Sequence, residues 1–144
     1  MRARMGRAGK GWGIMRDLEE VVSAYAECAL WSSHDWDDMD DGDNPRPMDD
    51  NYSVDDIAPE TLAQFREDCA AMIEGAAEID GADWWDDGQF GHDFWLTRNG
   101  HGAGFWDRHY GDSVEASAGD ELSALARPYG TVDLYVGDDG KVYS

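Results

Sequence analysis

Apolar residues take up a helical period just after residue 16. Leu18, Val21, Val22, Tyr25 and Ala29 fall on one face, and Asp17, Glu19 and Glu20 fill the first turn, where the helix dipole favours anions. This pattern predicts a helix over 16–32. A second stripe, Leu62, Phe65, Cys69, Met72, Ile73 and Ala76, follows Ala58-Pro59-Glu60. Proline at a first helical position forfeits no hydrogen bond, so a helix is predicted over 59–79. A third, over 118–127, carries Leu122 and Leu125 and stops at Pro128. Elsewhere the period changes. In 92–108 two aromatic runs flank Asn99-Gly100-His101-Gly102, whose Asn and Gly residues accept positive φ. A β-hairpin is predicted there, with Phe94 and Leu96 on one side, Trp95 and Thr97 on the other, and Phe105 and Trp106 returning. Val132, Leu134 and Val136 alternate before Asp138-Asp139-Gly140, and Val142 with Tyr143 completes a second predicted hairpin. Segment 80–91 reads as a turn. Segment 35–56 reads as an acidic loop, because Gly42, Asn44, Pro45 and Pro47 bar a long helix, with Trp36, Met39, Met48 and Tyr52 tacking it to the body. The expected architecture is a single α+β domain: about three helices packed on a small antiparallel sheet of two hairpins.

Composition sharpens this picture at the surface. The 144 residues are 42% hydrophobic and 12% aromatic, enough for one domain with a real core. Against 32 Asp and Glu stand only 11 Lys and Arg, a formal charge of −21. A field of that sign repels phosphates, so direct binding to nucleic acid or to an anionic membrane is disfavoured. The charge is also uneven. Residues 1–16 hold Arg2, Arg4, Arg7, Lys10 and Arg16 and no acid, which leaves the rest of the chain six cations against all 32 acids. The glycine-rich opening has no apolar period, so residues 1–14 are expected to be a disordered basic tail and 15–144 the acidic domain. Codons for Gly-Lys-Gly-Trp-Gly would look like a ribosome-binding site, which makes Met15 the expected natural start. Cys28 and Cys69 sit in predicted helices without a CxxC or Cys/His cluster, consistent with a reducing compartment. No run of 18 apolar residues and no secretory apolar segment occurs.

The residues that bear chemistry form no recognised catalytic spacing. His92, Asp93, His101 and Asp107 cluster along the predicted aromatic hairpin, but they match no compact metal motif. A calcium loop anchored on Gly42 would place Met39 and Met48 at ligand positions, and one on Gly88 would place Trp85 and Phe94 there. Gly100-x-Gly102-x-Gly104 has the composition of a phosphate loop but no helix after it and carboxylates around it. No GxSxG and no Cys/His pairing is present. No catalytic residue, metal site or cofactor is therefore expected, and the chain reads as a non-enzyme.

What stands out is aspartate, 23 residues against 9 Glu. A short side chain holds its charge close to the backbone, so a folded segment can present carboxylates with defined geometry. Alternate residues on a strand rising ~3.3 Å each lie about 6–7 Å apart, comparable to the step between phosphates along one DNA strand. Asp35, Asp37, Asp38, Asp40, Asp41, Asp43, Asp49, Asp50, Asp55 and Asp56, extended by Asp83, Asp86 and Asp87, are the candidate phosphate mimics. Trp36, Trp84 and Trp85 are the candidate aromatic anchors beside them. Two plainer readings compete: salt-adapted solvation, since the only lysines are Lys10 and Lys141, and an acidic surface that merely keeps the protein soluble.

The stretch from Gly91 to Arg108, GHDFWLTRNGHGAGFWDR, together with Val132-Asp133-Leu134-Tyr135-Val136 and Asp138-Asp139-Gly140, resembles a group of small acidic proteins encoded by phages and prophages. The resemblance covers about the last 55 residues, and the first 80 match no named group. It implies a phage context, in which small acidic proteins include anti-defence factors that mimic DNA. The expected function is an anti-CRISPR protein acting as a DNA mimic in the host bacterial cytoplasm. Its expected partner is the DNA- and PAM-binding path of a type I CRISPR surveillance complex, with a restriction enzyme as the other partner of this class, and with no nucleic acid and no membrane bound directly. The alternatives from other classes are a small metal-dependent phage enzyme using the His/Asp hairpin, and a phage structural or interaction protein.

Overall fold

The computed structural model describes residues 15–101 and 103–144; the expectations for 1–14 lie outside them. Among the described residues are four α-helices, α1 (Leu18–Ser32), α2 (Pro59–Ala76), α3 (Asp87–Arg98) and α4 (Val114–Ala126). Two antiparallel pairs of short strands complete the fold: β1 (His34–Met39) with β2 (Pro45–Pro47), and β3 (Tyr135–Val136) with β4 (Val142–Tyr143). The α+β class expected from the pattern holds, but the strand pairs form two separate sheets. The single sheet with helices on one face is therefore corrected. Strands of two, three and six residues cannot bury a core, so the helices pack on each other instead.

The helices over 16–32 and 59–79 form close to their predicted limits, and the one expected over 118–127 begins earlier, at Val114 behind the Ser113 cap. α1 starts at Asp17, whose carboxylate accepts from the backbone N–H of Glu19 and Glu20, and α2 starts with Pro59 in its first turn.

The expected hairpin over 92–108 is the main correction, because residues 92–98 of that region belong to helix α3. Its C-terminus explains the difference. Gly100 adopts φ 70°, its N–H bonds to Thr97 O at 3.2 Å, and His101 N–H bonds to Leu96 O at 3.1 Å. That pair of bonds is the glycine-closed helix end of the Schellman type, so Asn99-Gly100 stops a helix here and does not turn a hairpin. At the other end Asp86 caps α3 through Gln89 N–H at 2.7 Å. Past the cap, Gly104 places Phe105 in a short 3-10 turn (Phe105–Asp107) that packs beneath α3 and α4.

α1 and α3 lie in direct backbone contact at the centre. A Cβ on Gly91 would sit 2.2 Å from Val21 O, so only glycine permits that approach. Tyr25 fills the space beside it, edge-on to Phe65 of α2 and to Trp95 of α3 at centroid separations of 5.0 and 5.3 Å. Phe90, Phe94, Phe105 and Trp85 extend this aromatic core towards α4. β4 closes the lower edge: Val142 is buried, and its carbonyl accepts from Ala58 N–H just before α2. Among the described residues, no helix is long and apolar enough to cross a membrane.

Candidate functional site

The acidic segment expected as a loop is an ordered hairpin followed by two 3-10 turns (Met48–Asp50 and Val54–Asp56). Asp40 organises its tip. One carboxylate oxygen accepts from Gly42 N–H at 2.8 Å and Asn44 N–H at 3.0 Å, and Asp43 N–H closes on Asp40 O at 3.1 Å with Asp43 at φ 62°. Those backbone donors, Asn44 first, hold the Asp40 carboxyl below its ordinary range. Met48 seats the far end of the hairpin in the core, its N–H bonded to Ser33 O at 2.9 Å.

The strand does not deliver evenly spaced carboxylates. Asp35 pairs with Arg46 and Met39 with Pro45, so residues 36–38 bow out as a bulge on β1. Asp35 turns inward at 8% exposure and accepts from Asp37 N–H, while Trp36 is thrown outward at 69%. The regular phosphate spacing inferred from strand rise is therefore replaced by a bulge and a carboxylate-pinned turn.

The thirteen candidate acids divide by what they touch. Asp38 lies 3.4 Å from Arg46 and accepts from Asn51, Asp56 caps Ser53 N–H at 2.8 Å, and Asp86 caps α3. Asp87 binds Arg16 at 3.2 Å and Asp17 N–H at 3.1 Å. With Asp35 and Asp40, these six act partly or wholly as structure. Asp37, Asp41, Asp43, Asp49, Asp50, Asp55 and Asp83 make no side-chain hydrogen bond or ion pair among the described residues. All seven are exposed.

The set does not form one run. The hairpin leaves the C-terminal end of α1, whereas Asp83, Asp86 and Asp87 gather with Arg16 at its N-terminal end. A helix of 15 residues separates them by roughly 22 Å. The aromatic anchors also divide. Trp36 and Trp84 (48% exposed) face solvent, but Trp85 is buried at 1% exposure, its indole N–H donating to Asp93 at 2.9 Å. Trp85 is a core residue and cannot anchor a partner.

The histidines spread out as well. His34 and His101 line one cleft of about 390 Å³ with Trp36 and Asp133. His92 lines another of about 490 Å³ with Trp31, Cys28 and Arg108, and His109 packs edge-on against Trp84. Of the imagined His/Asp set only His92 and Asp93 meet, with His92 Nδ1 3.4 Å from an Asp93 oxygen, and Asp93 is otherwise held by Trp85, Gln89 and Arg108. Among the described residues, no group of three His, Cys, Asp or Glu side chains converges as metal ligands would. Burial raises the Cys28 thiol to about 12 and lifts Cys69 as well, so neither is a ready nucleophile.

Sequence reasoning missed Trp31, which is 57% exposed at the end of α1 and stands beside the acidic segment. The signal was present: Trp31 falls off the stripe that runs through Leu18, Val21, Val22, Tyr25 and Ala29.

No protein-family model, curated protein or solved structure matches the chain.

Proposed function

We propose that this protein is an inhibitory mimic of DNA, a phage anti-defence factor that occupies the positively charged DNA path of a bacterial defence complex. The favoured target is a type I CRISPR surveillance complex at the surface that engages target duplex and PAM. The observation that carries the reading is the set of exposed carboxylates at 37, 41, 43, 49, 50 and 55, which have no partner among the described residues. They stand on a backbone fixed by the Asp40 turn and the buried Met48. The only cation in this segment, Arg46, is already paired with Asp38. Carboxylates fixed in this way lose little conformational freedom on meeting an Arg/Lys channel and displace the counterions that DNA would displace. Trp36, standing out from the bulge among them, supplies apolar contact area beside the charges. Inhibition in this scheme is competition, with no turnover and no cofactor.

The test is capture of the complex by the tagged protein, followed by a gel-shift measurement of target-DNA binding. Capture with loss of DNA binding is the expected outcome. Reversal of Asp37, Asp41 and Asp50 to lysine should abolish inhibition and leave the fold intact, since none of the three supports a hydrogen bond through its side chain. Asp40 is spared because its carboxylate closes the turn. A triple variant that still inhibits fully, or a captured complex that still binds DNA, would remove the hairpin from the role of mimic.

A further inference from the structure

Between the last turns of α1 and the 48–56 segment lies a cleft of about 460 Å³. Trp31 and Tyr52 both line it, together with the acidic residues Glu27, Asp49 and Asp55. None of these three carboxylates has an ion-pair or hydrogen-bond partner among the described residues. The Trp31 ring also borders the neighbouring cleft, where the His92 ring lies 5.9 Å away at an angle of 33°. The indole thus borders two clefts, one shared with the His92 ring and the other with the acidic residues. A large aromatic surface left this exposed at the end of a helix, with three unpartnered acids round it, is electrostatically incomplete.

We infer that this cleft is a socket for an arginine side chain of the protein partner. A guanidinium is planar and weakly hydrated, so it can lie on the indole of Trp31 while its edge N–H groups reach Glu27 or the Asp49 and Asp55 side. A lysine ammonium keeps its hydration more tightly and offers no plane to stack, so it fits the same walls less well. The field inside the cleft has the matching sign. The Tyr52 hydroxyl is raised by burial first and then by the charges of Asp35, Asp38 and Asp56, which places negative potential on that wall too. The socket rests on the DNA-mimic reading only in taking the partner to be a basic protein. Within that reading it assigns the most specific contact to α1 and the 3-10 turns, with the hairpin carrying the longer-range attraction.

The experiment titrates the full-length chain with two blocked peptides, Ac-Gly-Arg-Gly-Arg-Gly-NH2 and its lysine counterpart. Binding is followed by NMR at the Trp31 indole N–H, assigned by its loss in Trp31→Phe, and at the backbone amides of Ser53 and Val54. The arginine peptide should shift these signals saturably and bind more tightly than the lysine peptide. Trp31→Ala should weaken it about tenfold, with the other indole signals unmoved as evidence of an intact fold. Unshifted Trp31 signals, wild-type affinity in Trp31→Ala, or equal affinity for the two peptides would overturn the socket. The two readings fail separately. If the arginine peptide titrates Trp31 but no defence complex is captured, the DNA-mimic reading falls and the socket stands. Capture and inhibition unaffected by Trp31→Ala would leave the mimic and remove the socket from its interface.

Discussion

Asp93 has no solvent-exposed surface, and it remains charged because four neighbours satisfy it. Arg108 binds it through Nε at 2.9 Å and Nη2 at 2.5 Å, Trp85 donates at 2.9 Å and Gln89 at 2.8 Å, and His92 Nδ1 lies at 3.4 Å. Burial by itself would raise the Asp93 carboxyl; the hydrogen bonds from His92, Arg108 and Trp85 outweigh it and hold the group below the ordinary range. A carboxyl depressed by folding stabilises the protein fully above its unfolded pKa of about 3.9, and that contribution disappears as pH falls through the lower folded value. Asp93→Asn should therefore cost about 2–3 kcal/mol at pH 7. That is less than for a fully enclosed pair, because the Arg108 side chain is partly exposed and can rehydrate. Urea denaturation should show the gap between variant and wild type closing as pH drops below about 4. A gap that is unchanged or widens there would mean Asp93 contributes by packing and not by charge.

At the scale of elements, the ends of α3 decide how its sequence is read. The same Asn-Gly pair closes a type I′ hairpin or a helix, and the choice depends on whether the preceding residues can be buried all round. From Phe90 to Arg98 only His92 is not buried, so the helix shows no polar face and no helical period. Buried aromatic runs of this kind read locally as strand. α1 and α2 were legible because each keeps a solvent face, and the Pro59 start left a mark independent of burial. The partners of Arg98 show the other limit. It donates to Tyr25, Asp68 and the carbonyls of Tyr129 and Gly130, groups 30 to 73 residues away, and nothing local announces such a junction. The acidic patch was legible as charge, but its division into capping and free carboxylates depends on the fold. Gly100→Ala tests the assignment of the helix end. Among the described residues, nothing beyond its chain neighbours lies within 4 Å of the added Cβ, so the variant should lose only the left-handed strain of about 1–2 kcal/mol. Denaturation should show that loss with helical content retained; no loss would be incompatible with the Gly100 cap.

Over the whole molecule, α1 is the spine that keeps two acidic regions apart: the capping acids with Arg16 at its start, the hairpin and Trp31 at its end. A chain of net charge −21 folds against its own repulsion, and most of its carboxylates have no cation to answer them. Ions at 0.1 M screen charges beyond about 10 Å, so salt should relieve this repulsion while leaving buried pairs such as Asp93–Arg108 nearly untouched. The melting temperature should rise between 20 and 300 mM NaCl, by about 3 °C for each kcal/mol relieved in a chain of this size. Salt-adapted solvation makes a different demand, since it would require molar salt for folding at all. Binding to a basic partner should respond with the opposite sign, weakening over the same range as released counterions lose their entropic advantage. Calorimetry and a binding titration on one preparation would compare the two slopes. Stability rising while affinity falls is the signature of a surface whose charge is kept for a partner at a cost to its own fold. If affinity were indifferent to salt, the carboxylates would not be what the partner reads.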